Sequence, residues 1–257
     1  MGAIFKKHIQ QNFFQEWNSG MAYILGYITA DGCIAVSKDR RIHPFTLNIT
    51  SVDREHLYKI RRALKSEHKV GVKGRDEAGH ILGYQLQIRN PVITNDLVNL
   101  GIAPNKTNNL GPLKIPRKYF TDFTRGFFDG DGSVYIYLVN NTPQIKASFV
   151  SASFDFINYF NKELCASLDI PTKSIQIKKD GGKRHLLYCI CFYIDDCVKL
   201  AQFMYGHNPT LYLDRKYRIF KKWKSVKRRG YLKQNYPTKI GWRLNFNNFP
   251  LNKLEYK

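Results

Sequence analysis

An α+β fold is predicted, made of two pseudo-symmetric αββαββα halves that each carry a four-stranded antiparallel sheet and meet through two central packed helices. Three observations predict it. Leu25-Gly26-Tyr27-Ile28-Thr29-Ala30-Asp31-Gly32 and Arg125-Gly126-Phe127-Phe128-Asp129-Gly130-Asp131-Gly132 lie a hundred residues apart, each an apolar run with an internal Gly that stops at Asp-Gly. A repeat at a fixed offset marks a duplicated unit. The order of helical and strand patterns after the first segment recurs after the second. The strand segments alternate apolar and polar residues, as half-buried antiparallel sheets do.

The first half opens with a helix over about 17–30, capped by Asn18 or Ser19. Asp31-Gly32 stops it, with Gly32 free to take left-handed backbone. A strand follows at 33–38, and then the alternating run Phe45-Thr46-Leu47-Asn48-Ile49-Thr50. Asp53 caps a helix to about Leu64, with Leu57, Ile60 and Leu64 on one face. Strands at 69–73 and 84–89 precede a helix that Pro91 opens and that reaches Leu100. In the second half a helix at about 122–130 is followed by strands at 133–139 and 146–151. A helix at 154–168, strands at 174–179 and 186–194, and a helix at 195–205 complete it. Gly111-Pro112 to Pro116 reads as the turn-rich connection. Residues after about Lys224 have no counterpart in the first half.

Composition narrows the partner. A net charge of +21 on 257 residues attracts polyanions, and a hydrophobic fraction of 43% is that of a folded domain rather than a basic disordered tail. No apolar run is long enough to span a membrane, and the N-terminus shows no secretion signal. Five cysteines argue against a disulfide framework. Cys189-x-Cys191 has the wrong spacing for a zinc knuckle and reads as buried thiols.

The sheets supply a candidate contact surface. In the first half Phe45, Leu47, Ile49, Val70, Val72, Tyr84, Leu86 and Ile88 are expected to face the helices. Thr46, Asn48, Thr50, Lys69, Lys73, Arg75, Gln85, Gln87 and Arg89 then face outward, and Gln144, Lys146, Ser148, Ser174, Gln176 and Lys178 form the matching set in the second half. These side chains read base edges and hold phosphates, although any half-buried sheet turns polar residues to water.

The helix ends supply candidate chemistry. Gly26 with Ala30, and Gly126 with Gly130, give each inner helix one smooth side for close approach. That packing sets Asp31 and Asp131 side by side. Neighbouring carboxylates repel unless a cation lies between them, and hard oxygen ligands favour Mg²⁺ or another divalent ion such as Mn²⁺. Such ions lower the pKa of a water nucleophile and neutralise a leaving oxygen.

The two segments and the repeated element order resemble the paired motifs of LAGLIDADG homing endonucleases, in the single-chain, two-repeat form, over about residues 17–224. The resemblance implies a first repeat at 1–110, a linker at 111–121, a second repeat at 122–224 and a basic C-terminal tail at 225–257. It implies DNA-binding sheets on a long, pseudo-palindromic duplex site, and metal-dependent cleavage of both strands across the minor groove that leaves 3′ overhangs. Asp31 and Asp131 fall on the family's metal-binding position. Lys106 and Lys216 fall where the family places a basic residue near the site, able to polarise the attacking water or stabilise developing charge. The motif's earlier acid is present as Asp129 but is Thr29 in the first copy. The resemblance also admits a non-cleaving relative, an RNA maturase or a DNA-binding regulator. Residues 225–257 look too short for the helix-turn-helix expected of a regulator. Met1-Gly2-Ala3 and Glu255-Tyr256-Lys257 lack the terminal chemistry of an intein. An intron-encoded, freestanding, monomeric enzyme is expected, in cytoplasm, nucleoid or an organelle matrix and not secreted. The tail, with Lys227, Arg228, Arg229, Lys233 and Lys239, is expected to extend the DNA footprint.

Overall fold

The chain folds as two pseudo-symmetric halves, and the computed structural model describes residues 7–36, 45–104, 106–140, 142–179 and 186–234. In the first half, α1 (Ser19–Asp31) leads into β1 (Gly32–Val36) and β2 (Phe45–Ser51), then α2 (Arg54–Ala63), β3 (Val70–Arg75), β4 (Ile81–Ile88) and α3 (Pro91–Asn99). A short α4 (Lys106–Asn109) follows. The second half runs α5 (Arg117–Asp131), β5 (Ser133–Val139), β6 (Thr142–Ser151), α6 (Phe154–Leu168), β7 (Gln176–Lys179), β8 (Leu186–Tyr193) and α7 (Ile194–Tyr205), and α8 (Asp214–Gln234) closes it. The sheets have the same antiparallel order, β1-β2-β4-β3 and β5-β6-β8-β7.

Local sequence explains most of the frame. Asn18 Oδ1 accepts the Met21 N–H at 2.9 Å, as the sequence predicts, and Asn90, just before the expected Pro91, caps α3 by accepting the Ile93 N–H at 3.2 Å. Leu47, Ile49, Leu86 and Ile88 bury one face of the first sheet, while Phe149, Phe156 and Phe160 fill the matching space in the second.

Several details depart from expectation. Gly32 is not left-handed; its φ is −93°. Glycine stands there for steric reasons, because a Cβ would come within 2.7 Å of the Ile28 carbonyl oxygen. Asp53 sits at the start of α2 without making a side-chain cap, and its carboxylate accepts Arg215 Nε at 2.9 Å instead. Val72 pairs with Tyr84 but is 41% exposed, at the point where β3 shifts register. Helix α5 starts at Arg117 rather than near Asp122, so residues 117–121 of the expected linker are helical; Phe120 and Phe123 anchor this extra turn in the core. Cys33 is exposed, whereas the other four cysteines are buried. Neither α4 nor α8 was predicted. Helix α8 runs through Lys224 without a break, so part of the expected tail is helical, and residues 235–257, with Lys239, lie outside the described residues.

Candidate active site

The two inner helices touch backbone to backbone. A Cβ on Gly26 would lie 2.1 Å from the Phe123 carbonyl oxygen, and one on Gly126 would lie 1.9 Å from that of Tyr23. One on Gly130 would meet the Ala30 Cβ at 2.3 Å. The four interface residues read from the sequence thus all lie on this seam, and its far end carries Asp31 and Asp131.

These aspartates share one electrostatic site. The Asp31 carboxyl is pushed up by burial, against the opposing pull of Lys216, a hydrogen bond from Tyr27 and the Lys106 charge. Burial and the neighbouring Asp31 charge raise Asp131 to about 6, although Asp131 remains accessible to solvent. Both charged forms are therefore disfavoured in the protein alone, which is the condition a cation relieves. Among the described residues no third His, Cys, Asp or Glu joins them. A hard divalent ion would complete its shell with backbone oxygens, water and phosphate, as Mg²⁺ does readily.

Lys106 and Lys216 lie at this site, each at the C-terminal end of one inner helix. Lys106 Nζ donates to Thr29 O at 2.6 Å and Ala30 O at 3.4 Å; Lys216 Nζ donates to the carbonyls of Phe128, Asp129 and Gly130 at 2.7, 2.8 and 3.0 Å. A lysine here satisfies terminal carbonyls and opposes the negative end of the helix dipole. Burial lowers the affinity of both ammonium groups for their protons, that of Lys216 to about 8.

A recess of about 210 Å³ opens beside Asp31, lined by Tyr27, Thr50, Ser51, Lys73, Tyr84 and Arg215 among others. It joins the aspartate to the outward face of the first sheet. On that face the predicted residues align in rows: Asn48 pairs with Gln87 and Thr50 with Gln85, while Arg89 Nε donates to Thr46 Oγ1 at 3.3 Å. Lys73 and Arg75 are exposed there, and Lys69 precedes β3. In the second sheet Gln144, Lys146 and Ser148 alternate along β6, Gln176 and Lys178 lie on β7, and Ser174 precedes that strand. Ser148 is only 4% exposed, because its hydroxyl pairs with Ser133 Oγ at 2.8 Å and β8 flanks it.

Three participants escaped the sequence reading. Tyr27 sits one helical turn before Asp31, a spacing that could have been noticed. Arg215 and Asp214 could not, since they reach across the halves from α8: Asp214 takes Lys59 at 2.6 Å as Arg215 takes Asp53. A buried polar chain also crosses the seam. Tyr23 donates its hydroxyl proton to Asp129 Oδ2 at 2.7 Å and accepts from His56 Nε2 at 3.0 Å, while the Leu213 N–H donates to the same carboxylate at 2.8 Å. Burial holds Asp129 up at about 6 and His56 down at about 4.

Comparison with known proteins agrees with this fold. Residues 20–86 match the family described as LAGLIDADG-like domain. The fold is that of solved LAGLIDADG homing endonucleases. The meganuclease I-AabMI bound to uncleaved DNA is similar at a TM-score of 0.58 and 13% identity, covering 84% of this chain and 92% of its own. I-GzeII in complex with its DNA target gives 0.55 and 12%, covering 87% and 94%. I-SmaMI bound to uncleaved DNA in the presence of calcium ions gives 0.52 and 12%, covering 86% and 95%. No curated protein matches the sequence. No helix among the described residues is long and apolar enough to cross a membrane.

Proposed function

We propose that this chain, on its LAGLIDADG fold, is a site-specific DNA endonuclease that hydrolyses both strands of a long, pseudo-twofold duplex target with a divalent cation, Mg²⁺ or Mn²⁺. The observation that carries the reading is the pair Asp31 and Asp131, brought by duplicated helices to one electrostatic site between two outward sheet faces in a protein of net charge +21. The solved proteins that share the fold are described as meganucleases or homing endonucleases on DNA, and one was solved with calcium present.

Asp31 and Asp131 would hold the cation. When bound, it supplies charge neutralisation at the phosphate and lowers the pKa of a water nucleophile. The rest follows from the chain itself. Tyr27 orients the Asp31 carboxylate through its hydroxyl. Lys106 and Lys216 fix the helix ends, and their charge opposes the rise that burial imposes on the two carboxyl groups. The outward residues of the two sheets hold a duplex across the pseudo-twofold axis, so each half faces one half-site. The bounds 1–110, 111–121, 122–224 and 225–257 serve as the working division into repeats, linker and tail. A maturase or regulator would give the paired carboxylates no task, and cleavage is therefore preferred. The test is a cleavage screen on a randomised duplex library with Mg²⁺, sequencing the cut ends. A single recovered site with 3′ overhangs supports the reading; intact DNA across a library that the protein demonstrably binds contradicts it.

A further inference from the structure

The outward face of the second sheet carries a thiol pair where the first carries two glutamines. Gln87 stands across from Asn48 and Gln85 across from Thr50; in the second half Cys191 stands across from Ser148 and Cys189 across from Val150. Alternate residues of one strand share a face, so both thiols point the same way. Their sulfurs are 3.6 Å apart. Both residues are buried, Cys189 fully. Gln176 from the neighbouring strand brings its Oε1 to 3.7 Å from Cys191 Sγ. The remaining cysteines do nothing comparable. Cys165 and Cys197 donate to oxygen acceptors, Asn161 Oδ1 and Phe192 O, and Cys33 is exposed on the other sheet.

We propose that Cys189 and Cys191 form a two-thiol site for a soft, thiophilic cation of the Cu(I) class. Thiolates select soft ions, and an ion content with few ligands suits a pair to which, among the described residues, no third thiol or imidazole is added. A ligand must also be deprotonated. Loading therefore releases thiol protons, and uptake strengthens as pH rises.

The test is anaerobic competition for Cu(I) against a chromophoric chelator, read by colour loss and native mass spectrometry. The wild type should take up one copper. Cys189→Ser and Cys191→Ser should each weaken uptake at least tenfold, and Cys33→Ser should leave it unchanged. As a control independent of any change the serine variants make to the sheet, phenylarsine oxide, which bridges two adjacent thiols, should block uptake by the unmodified protein. No uptake by the wild type overturns the proposal. So does uptake that survives the arsenical or persists in a folded variant lacking either thiol.

Discussion

The first and second halves share a backbone plan but bury different chemistry at corresponding positions. Tyr23, His56 and Thr29 of the first half correspond to Phe123, Phe156 and Asp129 of the second. Asp129 is buried and tolerable because Tyr23 crosses the seam to donate to it and Leu213 adds a backbone N–H. Position 29 faces the reciprocal environment, where the tyrosine and histidine are replaced by phenylalanines, and Thr29 satisfies its hydroxyl on Leu25 O at 2.8 Å. The missing acid of the first motif is thus explained by its partners. A carboxylate there would be buried without a donor, whereas Asp31 and Asp131, which face the cleft, are kept in both halves. Duplicated backbones tolerate divergence inside each polar cluster, provided that the cluster changes as a unit.

The seam itself is where both halves must agree, and the largest effect is expected there. Gly126→Ala or Gly26→Ala drives a methyl into a carbonyl of the facing helix, so each should cost upward of ~3 kcal/mol and lower the melting temperature by roughly 10 °C. Calorimetry of either variant with near-native melting would show that the helices stand further apart than described.

A second substitution tests the reciprocal clusters. Thr29→Asp alone should destabilise by about 3 kcal/mol, because it buries an unpaired carboxylate. Adding Phe123→Tyr and Phe156→His should recover much of that loss, as read by denaturant unfolding. Additive losses in the triple variant would break the proposed correspondence.

Smaller effects are expected at the cleft. A carboxyl raised to about 6 when folded stabilises the fold most when protonated, so Asp131 contributes stability at low pH that is lost as pH rises through 6. Without divalent ions, the wild type should therefore gain up to ~1 kcal/mol from this group between pH 7 and pH 4, after discounting for solvent access. His56, held down at about 4, works in the opposite direction, since its folded form resists the proton that the unfolded chain accepts. Asp131→Asn isolates the aspartate: its melting temperature at pH 7 should rise by a few degrees, and the added stabilisation by Mg²⁺ seen in the wild type should shrink. An unchanged response to Mg²⁺ would count against a shared cation site.

The lysines offer the finest comparison. Lys106→Met and Lys216→Met should slow single-turnover cleavage at saturating DNA with affinity nearly intact. Lys216→Met should have the larger effect because it leaves three carbonyls unmet rather than two. A pure docking role would instead weaken binding and reduce its salt slope by about one.

The features legible in the sequence were those written in local pattern. The repeated Asp-Gly helix ends, the alternation of Phe45 to Thr50, the cap at Asn18 and the helix opened by Pro91 each depend on residues close in the chain. What was illegible depends on distant partners. Asp53 looked like a helix cap until Arg215 was found to occupy its carboxylate. The outward serine at 148 is covered by Ser133 and by β8. Helix α8 was missed because its many lysines and arginines mask the two apolar residues, Phe220 and Trp223, that seat it just after the buried Leu213.

The central claim, that Asp31 and Asp131 form one cation site serving both strands, is tested most directly by cleavage of the recovered target with Asp31→Asn and Asp131→Asn separately, at saturating DNA and in Mg²⁺. Each variant should bind the duplex with wild-type affinity and fail to produce the double-strand break. Wild-type cleavage by either variant would contradict the account.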